Sequence, residues 1–277
     1  MKMEKGSAFL IHFFLIFGVL LIVFPLYITI ITPFKTPQEN SISFFTLPHS
    51  LYLDNIKQIV KSDTYYYSLL NSLYVTALTL GICYFIMPML SYAVSRSMKQ
   101  QKAYQYLYYF LLAGIFIPFQ VKMMPLVILM SRLHFMSTTG LVCCAIASST
   151  CESVFLYVGF LNSIPKDMED AASIDGASTF QSFRLVVFPL MQPIISTVMI
   201  KDGLWLWNDF MMPLIILNRN AKSWTLTLFQ YNFKTEYTTD YSLSFATFLM
   251  SMLPIMIFYM FMQKHIIGGL TNGAIKE

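Results

Sequence analysis

Residues 165–193 read PKDMEDAASIDGASTFQSFRLVVFPLMQP, and the reading of this stretch decides how the rest of the chain folds. It is acidic, small and amphipathic, while apolar segments long enough to cross a bilayer flank it on both sides. Asp167 is placed to cap a short helix, with Asp170 three residues on in the capping-box position. Glu169 and Asp170 suit the positive end of a helix dipole. Ala171, Ala172 and Ala177 allow close approach, and Gly176 tolerates a bend or a tight backbone contact. Phe180 and Phe183 form an apolar pair at i,i+3, and Pro189 and Pro193 mark the entry to the next apolar segment. Amphipathicity alone makes this an interfacial helix in a loop between two spans.

Working outward, composition says what the flanks are. Of 277 residues, 56% are hydrophobic and 12% charged, against roughly a quarter charged in a soluble domain, and the mean hydropathy is +0.60. The chain is an all-α integral membrane protein. The 18 basic residues are scattered over loops and form no basic face, so nucleic acid is excluded as a partner. The four cysteines lack metal-ligand spacing and read as small hydrophobes in apolar segments. The first apolar run continues through Ile31 without a cleavage signature, which makes it an uncleaved span rather than a signal peptide.

Six spans are expected, at about 9–32, 69–94, 106–130, 141–160, 190–208 and 243–262. Residues 34–66 form a polar loop with room for a short helix near 51–60. Arg96, Lys99 and Lys102 crowd the loop after the second span, the strongest positive-inside signal in the chain. In the third span Pro118 and Pro125 bracket Gln120 and Lys122, so the helix either kinks or breaks outright to expose backbone at membrane depth. The fourth span carries Ser148, Ser149, Thr150 and Glu152, and a carboxylate there faces protein or water rather than lipid. The fifth holds Lys201 and Asp202, adjacent and so on different helix faces, each able to pair with a separate neighbour. On an ideal helix Lys201 stands about 18 Å above Pro189. These ionisable groups read either as structural pairs or as groups lining a path for solute.

Several strings resemble one family. Asp-Ala-Ala-Ser-Ile-Asp-Gly-Ala at 170–177, then Phe180, Phe183, Pro189-Leu190 and Pro193, resembles the cytoplasmic coupling segment of bacterial ATP-binding-cassette importer permeases, the carbohydrate branch in particular. Trp207-Asn208-Asp209-Phe210 followed by Met212-Pro213-Leu214, and the glycine-rich end from Gly268 through Gly273 to Lys276, are similar to the same family. The family's segment begins Glu-Ala-Ala, whereas this chain has Asp170 there with Glu169 just before it.

The resemblance implies six transmembrane helices with a cytoplasmic coupling helix between the fourth and fifth. It implies an N-terminal helix and outer loop at 1–66, and a permease core at 67–277 with its coupling segment at 165–184. Glu169, Asp170, Ala171, Ala172, Asp175, Gly176, Ala177 and Phe180 would then meet an ATPase, and Gly269, Gly273 and Lys276 would form a tail facing it. Gln120, Glu152, Lys201, Asp202 and Asn208 are candidates for the translocation path, with Trp205 and Trp207 as possible sugar contacts. The implied partners are a homologous permease, two ATPase subunits holding ATP and Mg, an extracytoplasmic solute-binding protein, and a sugar or oligosaccharide.

The chain itself carries no Walker lysine, Gly-x-Gly fingerprint, metal triad or nucleophile elbow, so it is read as non-catalytic and without a cofactor. An inside N-terminus puts both termini in the cytoplasm of a bacterial inner-membrane protein. Nine Lys and Arg then fall inside against seven outside, with the cluster at 96–102 deciding the orientation. Other solutes such as a glycerol phosphate, or an ion-coupled transporter using Glu152, Lys201 and Asp202 as a relay, are the alternatives.

Overall fold

The computed structural model describes residues 5–217, 219–236 and 241–274, with side chains for 10–217, 219–231, 241–257 and 259–260. It is helical throughout, with no strand among the described residues. The order is α1 (Lys5–Ile31), α2 (Pro37–Ile42), α3 (Asp54–Val60), α4 (Asp63–Ser97), α5 (Lys102–Ile115), α6 (Phe119–Arg132), α7 (Thr138–Leu161), α8 (Asp167–Ile174), α9 (Thr179–Ser182), α10 (Phe188–Leu190), α11 (Gln192–Asn208), α12 (Met211–Leu217), α13 (Leu226–Glu236) and α14 (Tyr241–Ala274). A π-helical turn at Phe183–Val187 joins α9 to α10.

Two compact units divide the chain: residues 1–66 with 229–254, and residues 67–228 with 255–277. In this first unit α1 is apolar on every side, and only 6% of its span window is buried. A helix of that kind needs lipid or another apolar surface around it. Pro33 opens the 3₁₀ turn that ends it.

The polar loop that follows is knit by side chains. Thr36 and Glu39 form a capping box on α2, with Pro37 in the first turn. Lys35 is fully buried and donates from Nζ to the carbonyls of Ser43 and Phe44, both at 3.2 Å. Asn55 on α3 donates to the carbonyls of Pro33 and Lys35. Helix α3 sits where a short helix was expected.

Apolar clusters in the second unit gather on α7, and two of them carry most of its packing. In one, Cys83 and Met87 of α4 meet Tyr157 and Leu161 of α7, Phe183 and Val187 of the π turn, and Ile195 and Val198 of α11. In the other, Leu141, Val142 and Cys144 of α7 pack with Met212 and Ile216 of α12 and Met130 of α6. Helix α7 is thus the hub of the unit, with half of its span window buried. Gly114 brings α5 against it, since a Cβ there would lie 2.7 Å from the sulfur of Cys151. Cys83 and Cys144 are buried, but Cys143 is exposed rather than packed.

Three helical spans are long and apolar enough to cross a membrane: α1 with its closing turn, α4 and α7. Two more arise if each bent pair counts once, giving five among the described residues, with 241–257 as a shorter apolar helix. The pair α5–α6 bends by 107°. Pro118 lies at the break in an extended conformation (ψ 145°), while Pro125 stays inside α6. Proline lacks the N–H for the preceding turn and pushes the residue before it out of the helical region. The third segment is therefore broken, the second of the two readings left open by sequence. The fifth bends by 71° at Met191, between residues 179–190 and α11. The rise estimated from Pro189 fails for that reason. Counted from Gln192, Lys201 stands about 14 Å along α11.

Candidate functional site

Helix α8 occupies the place expected for the coupling segment. Its cap differs from expectation. The N-cap is Lys166 with no side-chain cap, and Asp167 enters the first turn together with Glu169 and Asp170. The Asp167–Asp170 box does not form because Asp167 is already helical. The capping box in this stretch is Ser178 with Gln181, at the start of α9.

Helix α8 closes in a Schellman arrangement. The Ala177 N–H donates to the Ala172 carbonyl and the Gly176 N–H to that of Ser173. Gly176 has φ +86°, a region that favours glycine.

The expected ATPase-facing residues divide. Asp170, Ala171, Asp175, Gly176 and Phe180 are exposed, with Ala172 and Ala177 half-buried. Ile174 is 86% exposed and Phe180 56%. Glu169 points the other way. Its Oε2 accepts from the Tyr92 hydroxyl at 2.7 Å, and its Oε1 accepts from Arg96 Nε at 2.8 Å. Arg96 Nη2 lies 2.6 Å from that same Oε1, as a charge contact rather than an aligned hydrogen bond.

The two phenylalanines of the expected i,i+3 pair also diverge. Phe183 turns into the core beside Tyr92, ring centres 5.1 Å apart, while Phe180 stays outside. A π turn begins at Phe183 and carries that ring's backbone on toward α10.

Elsewhere in the same unit, α6, α7, α11 and α12 line a cavity of about 490 Å³. Gln120, Lys122, Glu152, Lys201, Trp205 and Asp209 bring polar or aromatic groups to its wall. Lys201 Nζ lies 2.7 Å from Glu152 Oε2 and 2.9 Å from Asp202 Oδ1. Lys201 and Asp202 each have a separate neighbour on α7, as their different faces allow, and they also pair with each other. The long lysine stem folds back to the carboxylate of its neighbour. Asp202 is nearly buried, and its Oδ2 accepts from the hydroxyls of Ser149 and Ser153 on α7.

Of the path candidates, Gln120, Glu152, Lys201 and Asp202 come together in this wall. Asn208 lies outside the lining and donates to the carbonyl of Leu204 on its own helix. Trp205 lines the cavity, whereas Trp207 is buried. The backbone at Gly269 and Gly273, in the tail expected to face the ATPase, continues α14 as helix, and Lys276 lies outside the described residues.

Sequence reasoning missed Tyr92 and Arg96 as partners of Glu169, and Asp209 as part of the cavity. The Ser149–Ser153 spacing on one helix face was a usable signal for a buried acceptor. The Arg96 connection spans 73 residues and left none in the local pattern.

Comparison with known proteins gives the same picture. The chain is 38% identical over 278 residues to the multiple sugar-binding transport system permease protein MsmG of Streptococcus mutans serotype c, covering 99% of each. It is 32% identical to the probable starch degradation products transport system permease protein AmyC of Thermoanaerobacterium thermosulfurigenes, over the full length of both. Its fold is similar to a chain of a bacterial ABC transporter involved in the import of the acidic polysaccharide alginate. The TM-score is 0.78 at 19% identity, covering 95% of this chain and 98% of the other. The model of one family matches residues 89–271. From that match and the end-to-end relatives, the chain belongs to the binding-protein-dependent transport system inner membrane components.

Proposed function

We propose that this chain is a membrane-spanning subunit of an ATP-driven importer for a sugar or oligosaccharide. In this reading six helices cross the bacterial inner membrane with both termini in the cytoplasm, α14 supplying the sixth. A homologous permease completes the pathway, a solute-binding protein delivers the sugar from outside, and two ATPase subunits bind ATP and Mg²⁺. The sugar class is supported by the relatives, whose names refer to multiple sugars and to starch degradation products.

One observation in the molecule carries the reading. Helix α8 is a short helix whose one face is tied to the bundle while Asp170 and Ile174, with Phe180 on the following α9, stand exposed. Two large apolar side chains left uncovered on this polar segment support docking to a protein partner. Closure of the ATPases on ATP would displace α8 and switch the pathway between inward- and outward-facing states, as rigid-element coupling requires. On this account Gln120, Glu152, Lys201 and Asp202 line the route taken by the solute, their polar groups meeting sugar hydroxyls and Trp205 offering an apolar face.

The test is uptake of labelled di- and trisaccharides by membrane vesicles containing the complex. The importer reading expects uptake that needs ATP and the binding protein and survives collapse of the proton and sodium gradients. Uptake abolished by that collapse, with ATP present, would refute it in favour of ion coupling.

A further inference from the structure

We propose that Tyr92, Arg96 and Glu169 form the joint that carries displacement of α8 into α4 and α7. Glu169 is then a positioning residue of the coupling segment and not one of its ATPase contacts. This inference rests on the importer reading and adds the transmitting residues to it.

The geometry makes the case. Arg96 Nε and Nη2 grip Glu169, while Nη1 donates to the carbonyl of Leu161, the last residue of α7, at 3.1 Å. One guanidinium therefore holds α4, α7 and α8 together. Tyr92, one turn before Arg96, takes the second carboxylate oxygen, so both oxygens of Glu169 are engaged. The side chains of Arg96 and Glu169 are only 14% and 12% exposed, so water and salt screen the pair weakly.

Helix α8 also packs on the π turn and on α9. It buries none of its residues fully, and Glu169 is its one side chain, among the described residues, that hydrogen-bonds to another helix. Of these attachments, the one through Glu169 is the directional link to α4 and, through Arg96, to α7. A hydrogen bond and a close charge contact from a planar guanidinium, with a second hydrogen bond from a phenol, fix orientation as well as distance, which a lone ammonium could not do. A carboxylate with both oxygens occupied inside its own chain has little left to offer a second protein, whereas Asp170 beside it is exposed.

Spin-label distance measurements on the intact complex, purified through a tag on this chain, test the joint. Labels replace Ile174 on α8 and Phe85 on α4, both exposed, in a background without the four native cysteines. In otherwise unaltered protein we expect one narrow distance that shifts by less than about 2 Å on adding Mg-ATP, because the two helices move as one body. Glu169→Gln should keep its ATPase subunits but broaden that distribution, or displace it by more than about 5 Å with Mg-ATP. Arg96→Lys should do the same more weakly, and serves if Glu169→Gln does not assemble. Exchanging the charges, Arg96→Glu with Glu169→Arg, should narrow the distribution again.

Two results would overturn the joint and leave the importer reading standing. In one, both single variants give the same narrow, ATP-independent distance as the unaltered protein. In the other, Glu169→Gln loses the ATPase while Arg96→Lys retains it, which would make Glu169 a direct contact. Absence of any ATPase from the unaltered complex would overturn the importer reading and this inference together.

Discussion

Glu169 and Glu152 are both glutamates paired with a cation on another helix, and they are opposites in every other respect. The Glu169 pair is 12–14% exposed with both carboxylate oxygens engaged. In the Glu152 pair the carboxylate is 51% exposed and its lysine 36%, in the wall of a cavity. A closed pair fixes geometry, and removing one member strands a desolvated charge. An open pair contributes little to stability and keeps capacity for a passing ligand. On the proposed reading the first serves a joint and the second a route.

Variants can break that comparison, and the largest effect should come from the closed pair. Arg96→Ala leaves Glu169 buried and unpaired, at a cost of about 3–5 kcal/mol. Thermal unfolding in detergent should show a steep drop in midpoint, with uptake abolished. A midpoint unchanged from the unaltered protein would mean that the pair is solvated in the membrane-bound protein.

Asp202→Ala comes next. It removes the acceptor shared by Ser149, Ser153 and Lys201 and leaves buried hydroxyls without it, a loss of about 2–3 kcal/mol by the usual penalty for unsatisfied groups. The same thermal assay reads it.

Gly176→Val forces a β-branched side chain into φ +86° and undoes the closure of α8, at about 1–2 kcal/mol. Its stability effect is modest, but co-purified ATPase should fall several-fold because the exposed face is displaced.

Glu152→Gln should change stability by less than about 1 kcal/mol, since exposed pairs contribute little. It should change the ranking of sugars taken up. An unaltered ranking would return the Glu152–Lys201 pair to a structural role.

Glu39 sharpens the low end. The backbone N–H groups of Thr36, first, and of His49 stabilise its carboxylate and hold its pKa below the usual value of 4.5. A depressed carboxylate stabilises the fold above its unfolded pKa. That contribution fades as pH falls from about 4.5 through the lower folded value. Glu39→Gln should therefore lower the stability of the 36–49 loop at neutral pH and flatten its acid limb, because the contribution that acid would remove is already gone. Amide hydrogen exchange over that loop is the measurement.

The same contrast explains what sequence could and could not tell. Features set by local chemistry were legible. Pro118 breaks its helix, Gly176 takes a positive φ, and the acidic string at 167–170 opens a short helix between apolar flanks. Features set by distant partners were not. Nothing near Glu169 says that Arg96 and Tyr92, 73 and 77 residues away, will turn it inward and leave Asp170 outside. Helix periodicity assigns Lys201 and Asp202 to different faces, but a four-carbon stem can ignore that assignment when a shared cavity draws it back. The π turn at Phe183–Val187 has no sequence signature either. The membrane class and the short helix between apolar flanks were thus readable, while the orientation of its charges needed the packed helices.

The most direct test of the account counts subunits. Purified in mild detergent from its native membranes through a tag on this chain, the complex should contain one partner permease and two ATPase copies per tagged chain. The ATPase should fall away in Gly176→Val while the partner permease remains. A tagged chain that comes through intact with its native lipids, yet repeatedly without any ATPase, would contradict the account at its centre.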